Sequence, residues 1–326
     1  MCHRDLTKNN NKHTMREMNG KQYKIYAIIV TWNAMRHSWI DRCLHSLQAS
    51  TVMVTPIVID NCSTDDTRRH VPSAYPDVVW LPQDINLGFG QANNVGFRYA
   101  IEHDADYVLL LNQDAAIQPR TLSLLLAQSD GKSLMSPLHL NGDGTDLDLN
   151  FAKNTVVLSG SATDYVFRLR NEQGRFETGE ICAACWLMPV RMLKEIGGFN
   201  PLFFQYGEDN NYYDRMLFHN IKTYLVPAAE MWHDRKIYGN KEIYDNKLIR
   251  RTILLAACDI NSSFFSAIKE IAWQLKNCYV KKLPRREYVT GTFFKELVWL
   301  MFHLKDIIIS RKKEKTTGIH WIYPQK

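Results

Sequence analysis

The stretch Tyr107-Val108-Leu109-Leu110-Leu111-Asn112-Gln113-Asp114 decides the architecture. Its run of apolar and aromatic residues ends abruptly in polar ones, so it reads as a buried parallel strand that delivers Asn112, Gln113 and Asp114 to the edge of a sheet. Ligands bind at that edge in open α/β sheets. An aspartate held there, just before the Pro119 turn, can ligate a hard divalent cation, which in turn can hold a diphosphate. Taken alone, Asp114 suits a helix cap equally well.

The same grammar repeats upstream. Ile25 to Val30 reads as a first strand and runs into Thr31, Trp32 and Asn33. A helix from about Ser38 follows, with Ile40, Cys43, Leu44 and Leu47 at i, i+3, i+4, i+7 spacing. Ile57 to Ile59 is a second strand, and Asp60-Asn61-Cys62-Ser63-Thr64-Asp65-Asp66 is a second polar patch at its end. A short strand at Val78 to Leu81 leads to Asn86-Leu87-Gly88-Phe89-Gly90-Gln91-Ala92-Asn93-Asn94 and a helix with Ala92, Val95, Gly96, Tyr99 and Ala100 on one face. Strands alternating with helices predict a mostly parallel sheet with right-handed crossovers. Gly88 and Gly90 do not make a dinucleotide fingerprint, because they do not follow the first strand and Asn93 stands where the third glycine belongs. They predict a tight turn that lets the backbone and the amides of Asn93 and Asn94 approach a ligand.

Downstream, a helix is expected around Leu122 to Leu126, then an irregular stretch over 131–178 whose short alternating runs, Thr155 to Leu158 and Tyr165 to Leu169, suggest antiparallel strands. Cys182 and Cys185 form a CxxC with no second pair at metal-finger spacing, so a buried strand with small residues is preferred to zinc. Pro189 and Gly197-Gly198 bracket a short helix. Glu208 and Asp209 open a further helix over 210–218, where two carboxylates also complement the helix dipole. A short strand at Thr223 to Val226 precedes Trp232-His233-Asp234.

Composition bounds the rest. The 326 residues are 45% apolar, enough for a sizeable core, and the net charge of +6 is uneven. Residues 241–326 hold 17 Lys plus Arg against 8 Asp plus Glu, a net of +9, which leaves −3 for residues 1–240. Seven cysteines without disulfide-framework spacing, and a polar N-terminus with no signal-peptide pattern, predict a reducing, cytoplasmic setting. Residues 1–22 read as a disordered leader.

Together, Thr31-Trp32-Asn33, Asp60-Asn61-x-Ser63-x-Asp65, Asn86-x-Gly88-Phe89-Gly90, Leu111-Asn112-x-Asp114, Gly197-Gly198-Phe199, Glu208-Asp209 and His233 resemble the family 2 glycosyltransferases, and more narrowly their bacterial rhamnosyltransferase-like branch. The resemblance covers about residues 23–240. It implies a GT-A fold, a mixed and mostly parallel sheet flanked by helices. It also implies a nucleotide-diphosphate sugar donor carrying thymidine or uridine, a divalent cation (Mn²⁺ or Mg²⁺), and inversion at the anomeric carbon. Carried over, Thr31, Trp32, Asn33, Asp60, Asn61, Ser63 and Asp65 would hold base and ribose, with Asp60 accepting from the pyrimidine N3–H. Asn86, Gly88, Phe89 and Asn93, with Asn112 and Gln113, would line the nucleotide-sugar pocket. Cys185 and Trp186 would belong to the acceptor or sugar pocket. Asp114 and His233 would hold the metal, and Asp209 would be the base, with Glu208 beside it. Two positions depart from the family pattern: Asn112 stands where a first metal aspartate is common, and Asn210-Asn211 follow the Glu-Asp pair in place of a further acid.

Residues 241–326 read as a basic helical extension. Phe294, Leu297, Val298, Met301, Leu304 and Ile308 form a helical apolar stripe interrupted by charges and flanked by Lys281-Lys282, Arg285-Arg286 and Arg311-Lys312-Lys313. Either the stripe docks on an anionic membrane surface, where a lipid-linked acceptor would lie, or it packs on the catalytic domain. No recognition motif supports nucleic acid. A nucleotidyltransferase would need a Gly-rich phosphate loop after the first strand, and TWNAMRHSW has no glycine. A non-catalytic relative would have lost Asp114 or the Glu208-Asp209 pair.

Overall fold

The computed structural model of the protein describes residues 22–155, 174–235, 241–281 and 286–323. The expected leader, except Gln22, lies outside the described residues. So do Tyr165 to Leu169, most of the run from Thr155, and the basic residues Lys282 and Arg285.

Four strands, β1 (Ile25–Thr31), β2 (Thr55–Asp60), β3 (Val79–Pro82) and β4 (Tyr107–Leu111), pair in parallel in the order β3-β2-β1-β4. Helices α1 (Trp39–Gln48), α2 (Thr67–Ala74) and α3 (Phe89–Glu102) connect them. β4 is buried along its whole length, as its unbroken apolar run requires. Beyond it the sheet turns mixed: β8 (Cys185–Pro189) runs antiparallel to β4, with Leu111 opposite Cys185. β6 (Leu134–Asn141) and β9 (Thr223–His233) follow, parallel to one another, while β5 (Ala115–Ile117) and β7 (Phe176–Thr178) are antiparallel to β9.

Three elements differ from expectation. β5 begins directly after Asp114, and β6 fills part of the stretch read as irregular. β9 does not stop at Val226 but runs on to His233, with a register shift against β6 at Pro137/Leu138. His233 is therefore the last residue of a strand, placed opposite Ala115 and Asn141.

Alternation along the strands feeds two core layers. On one side Ala27, Ile29, Val58 and Leu109 meet α1 and α4 (Thr121–Gln128); Ile40, Cys43, Leu44 and Leu47 are all buried there, as their spacing predicts. On the other side Ile28, Ile57, Ile59 and Leu110 meet α3, α6 (Val190–Ile196) and α7 (Glu208–Phe218). A short helix α5 (Leu149–Thr155) caps a satellite core under β6.

Gly96 sets the distance between α3 and the sheet. A Cβ there would lie 2.6 Å from Ile28 Cγ2. Gly197 ends α6 with φ 78°, a conformation that favours glycine, as expected for the second bracket of that helix.

Three further helices, α8 (Lys241–Cys258), α9 (Phe264–Lys281) and α10 (Arg286–Glu314), pack on one another. They join the catalytic layer through Phe203, Leu254, Ala257, Cys258 and Ile307. The face of α10 that packs inward is not the apolar stripe: Glu296, Ile307, Ser310, Arg311 and Glu314 are buried, whereas Phe294, Val298, Met301, Leu304 and Ile308 are exposed. Glu296 is held by Arg250 through two 2.8 Å bonds. Arg311 is not a solvated basic residue; it donates to the carbonyls of Ala257, Asp259 and Ser262 near the end of α8.

Gly96→Val is expected to lower stability by roughly 1–3 kcal/mol through overpacking against Ile28. Urea unfolding at unchanged m-value is the measurement.

Candidate functional site

The carboxyl ends of β1, β2 and β4 are tied together before any ligand arrives. Asn33, in the left-handed conformation with φ 52°, accepts at Oδ1 from the amides of Thr64 (2.8 Å) and Asp65 (3.3 Å), and its own amide donates to Ser63 Oγ at 2.9 Å. Asn61 Oδ1 accepts from Leu87 N (2.7 Å), and its Nδ2 donates to Asn86 Oδ1 (3.0 Å), which also takes Gly88 N. Gln113 accepts from Trp32 N at 2.8 Å and returns a bond to Trp32 O at 3.2 Å. The Trp32 ring is left half exposed at the edge of the sheet. Thr31 is buried and donates to Ile59 O. The structure thus brings together the residues expected to form the nucleotide pocket, most of them as the loop framework itself.

Asp60 is completely buried. Both carboxylate oxygens face the Ser63 amide, and Oδ2 takes Arg68 Nε at 2.6 Å. The expected bond to a base is therefore already replaced by an internal one in this conformation. Asn93 and Asn94 also depart from expectation, since both lie inside α3, where their backbone amides belong to the helix. Asn94 clamps the Phe199 backbone, accepting its N–H at 2.7 Å and donating to its carbonyl at 2.8 Å. Gly88, at φ 76°, lies so close to the Phe204 carbonyl that a Cβ would sit 2.0 Å from the oxygen. Phe89, partly buried, meets Phe199 edge-on. The turn thus fastens α3 to the Gly197-Gly198-Phe199 segment.

Asp114, one-fifth exposed, and buried His233 come together, with Asp114 Oδ1 3.3 Å from His233 Nε2. Asn112 Nδ2 is 3.4 Å from the same ring nitrogen. On the far side of the ring, Nδ1 lies 3.4 Å from Asp148 Oδ2 and 3.3 Å from Arg235 Nη2. Burial works against a charge on the imidazole, but the two flanking carboxylates outweigh it and raise its pKa. Asp148 is buried too, yet His233 and Arg235 hold its carboxyl well below the usual range. Its Oδ1 caps α5 by accepting from Asn150 N and Phe151 N. Asp148 and Arg235 are site residues that the sequence reading missed. The Asp148-x-Asn150-Phe151 cap pattern was the only local trace of the first.

Asn112 Oδ1 is buried and has no partner among the described residues, and Asp114 offers a carboxylate edge to solvent. One carboxylate, one amide oxygen and one imidazole suit a hard or borderline divalent cation, with a donor's diphosphate completing the shell. No group of three or more His, Cys, Asp or Glu ligands exists among the described residues, so the protein alone offers a partial shell.

Across the edge, Glu208 and Asp209 open α7. Glu208 is buried, its Oε2 has no partner among the described residues, and burial with the Asp209 charge beside it pushes its carboxyl up to about 8. Asp209 is partly exposed, and its charge is felt at Glu180 and at Cys182. The Cys182 sulfur lies 4.0 Å from Arg235 Nη2, so Cys182 stands between the neighbourhood of Asp209 and that of His233. Cys185 and Trp186, expected in the sugar pocket, are strand residues buried in opposite core layers. Cys185 has no exposed surface, and burial pushes its thiol pKa up. Trp186 stacks on Phe199 and keeps a buried Nε1–H without an acceptor among the described residues.

Residues 26–197 match the model of "Glycosyl transferase family 2". The chain is a family 2 glycosyltransferase. An N-acetylglucosaminyl-diphospho-decaprenol L-rhamnosyltransferase of Mycobacterium tuberculosis is 28% identical over 232 residues, 64% of this chain and 75% of that protein. The dTDP-rhamnosyl transferase RfbF of Shigella flexneri is 21% identical over 299 residues, 89% and 90% of the two chains. Among solved structures, S. aureus TarS 1-349 in complex with UDP superposes with a TM-score of 0.50 at 15% identity, covering 90% of each chain. GalNAc-T7 with UDP, GalNAc and Mn²⁺ gives 0.51 at 14% identity, covering 78% of this chain and 55% of that one. The fold of this glycosyltransferase is accordingly GT-A, an open, mostly parallel mixed sheet between helices.

Glu208 has more affinity for protons folded than unfolded, so its contribution to stability falls as pH rises from about 4.3 toward 8, by at most about 1.4 kcal/mol per pH unit. Thermal melts from pH 5 to 8.5 are expected to show a flatter decline for Glu208→Gln than for the wild type. Asp148 has the opposite sign: its stabilisation is present above about pH 4 and is lost as pH falls below that. Asp148→Asn should cost about 1–3 kcal/mol at pH 7, the difference narrowing between pH 4 and 2.5 in denaturant titrations.

Proposed function

We propose that this chain transfers a sugar, a deoxyhexose such as rhamnose or a hexose, from a thymidine or uridine diphosphate donor to a hydroxyl of a glycan or lipid-linked acceptor. The reaction inverts the anomeric carbon and serves bacterial surface polysaccharide synthesis on the cytoplasmic side of the membrane. The observation that carries this reading is the pairing of Asp114 with His233 just beyond the carboxyl end of β4. The rhamnosyl relatives, one using a dTDP-sugar and one a lipid-diphosphate acceptor by their names, support the donor and acceptor classes.

In this reading the diphosphate lies against Asp114, Asn112 and His233, and the base lies in the frame of Asn33, Asn61, Ser63 and Asp65. Trp32 offers a half-exposed ring against which a base can stack. Asp60 reaches the base only if Arg68 swings outward; otherwise it acts by holding the β2 loop in shape. Asp209 takes the proton of the acceptor hydroxyl as its oxygen forms the new bond to the anomeric carbon, and the old bond breaks with its electron pair moving to the nucleoside diphosphate. A divalent cation bound there would neutralise charge building on that leaving group. Neutral Glu208 leaves a single carboxylate charge at the helix start and has a free oxygen for a sugar hydroxyl.

Thermal-shift titration with UDP, dTDP, GDP, CDP and ADP, with and without Mn²⁺, tests the donor site. A binder at ~100 times its dissociation constant stabilises by about 2.7 kcal/mol. UDP or dTDP is expected to act, with Mn²⁺ required and Asp114→Ala abolishing the shift. Asp209→Asn should retain that shift and lose about 10²- to 10⁴-fold in turnover. If no nucleotide binds to folded protein, the donor-site reading is wrong.

A further inference from the structure

Eleven of the twenty-one large apolar side chains exposed among the described residues lie between Phe264 and Ile309, on α9 and α10. Elsewhere such residues are scattered, which is ordinary for a protein surface; here they concentrate. On α9, Phe265 (77% exposed), Ile268 and Trp273 recur at helical spacing with Lys269 and Lys276. On α10, Val298, Met301, Phe302 (79% exposed) and Ile309 recur with Lys305 and Lys312. The inner faces of both helices are already engaged by the domain: Ala267 is buried and Ile271 packs in the α8–α10 core, while Glu296, Ile307 and Glu314 are buried against neighbouring elements, Glu296 through both oxygens to Arg250 and Glu314 through Oε1 to Asn200. The apolar outer faces are thus not a packing surface left over from the domain.

We infer that the outer faces of α9 and α10 form a docking surface for an anionic lipid bilayer, and that this surface sets the orientation of the catalytic edge to the membrane. Aromatic and aliphatic side chains interleaved with lysines fit the headgroup boundary, where rings enter the acyl region and ammonium groups meet phosphates. No described helix is long and apolar enough to cross a membrane, so contact would be in the interfacial plane. Among the side chains described on these helices, the exposed acids, Glu270 and Asp306, are outnumbered by Lys269, Lys276, Lys295, Lys305 and Lys312. That charge disfavours a second copy as the occupant, since a two-fold pairing of this face would set lysines against lysines.

The surface is fastened to the chemistry at its other side. Glu314, at the end of α10, accepts from Asn200 Nδ2 (2.7 Å) and Asn211 Nδ2 (3.0 Å), and its carbonyl lies 2.8 Å from His219 Nε2. Arg251 of α8 donates to Asn210 Oδ1 at 2.6 Å. Asn210 and Asn211 directly follow Asp209 on α7, so a bilayer that fixes α10 also fixes the start of the helix that carries the base. The purpose of the surface, presenting a lipid-linked acceptor, rests on the proposed function; the binding itself rests only on α9 and α10.

The test is co-sedimentation of the full chain with vesicles of phosphatidylcholine alone, or with roughly 30 mol% phosphatidylglycerol, at low and high salt. Binding to the anionic vesicles, weakened by salt, is expected. Phe302→Asp with Met301→Asp should weaken it by at least about tenfold, and Lys305→Glu with Lys312→Glu should remove its preference for phosphatidylglycerol. All four positions are exposed, and unchanged melting temperature and dTDP or UDP shifts would show that fold and donor site are intact. Failure of folded wild type to bind anionic vesicles, or binding that neither pair of changes reduces, would overturn the inference. So would concentration-dependent dimerisation by sedimentation velocity that the Phe302→Asp, Met301→Asp variant abolishes in lipid-free buffer. None of these outcomes depends on whether a nucleotide binds.

Discussion

A buried imidazole between two carboxylates organises the carboxyl edge of the sheet. His233 ends β9, and its two ring nitrogens face Asp114 on one side and Asp148 on the other. An isolated polar ring so deeply buried would be costly; here each nitrogen has an anionic neighbour, and Arg235 adds a positive charge to balance the second carboxylate. The cluster joins the end of β4, the end of β9 and the cap of α5, three elements far apart in the chain. Asp114 is thereby held at the edge of the sheet with part of its carboxylate exposed, the state a metal or diphosphate site requires.

The other half of the edge is held by amides rather than charges. Asn33, Asn61, Asn86 and Gln113 spend their side chains on backbone groups of neighbouring loops, so the pocket's shape is fixed before binding and little ordering remains for the ligand to cause. The same economy explains Asn94 and Gly88, which the sequence suggested as ligand contacts. Asn94 binds α3 to Phe199 and Gly88 packs against the Phe204 carbonyl, contacts that help set where Glu208, next to Gly90, can stand.

β1 to β4 and helices α1 and α3 were legible because their signal is local: apolar runs ending in polar clusters, with helical spacing between. β6 was not, since Ser136, Pro137 and His139 interrupt its apolar pattern and are satisfied only by the fold, Ser136 by Cys185 O and by His139 itself. β9 looked short because Pro227 and Glu230 break its pattern, although the strand continues past them. Asp148 and Arg235 pair across 87 residues, a relation no local pattern encodes. On α10 the apolar stripe was legible but its direction was not, since helical spacing alone left open whether it packs on the domain or faces outward; in the fold it faces outward. The usual rule turns apolar residues inward, but here the inward face consists largely of polar residues that neighbouring helices and loops neutralise.

That inversion has a consequence for how the acid pair at α7 works. Glu208 is neutral near pH 7 because it is buried beside the charge of Asp209, and the residues that keep α7 in place, Asn210 and Asn211, are bonded to Arg251 and Glu314 of the C-terminal helices. Had α10 packed with its apolar stripe inward, Glu314 could not reach Asn200 and Asn211, and the start of α7 would lose its support on that side. The buried polar face thus supports the start of α7, and the apolar side chains of α10 are left on the outside. A contact made on the outer face of α10 would therefore act on an element that also holds Asn200 and Asn211 through Glu314.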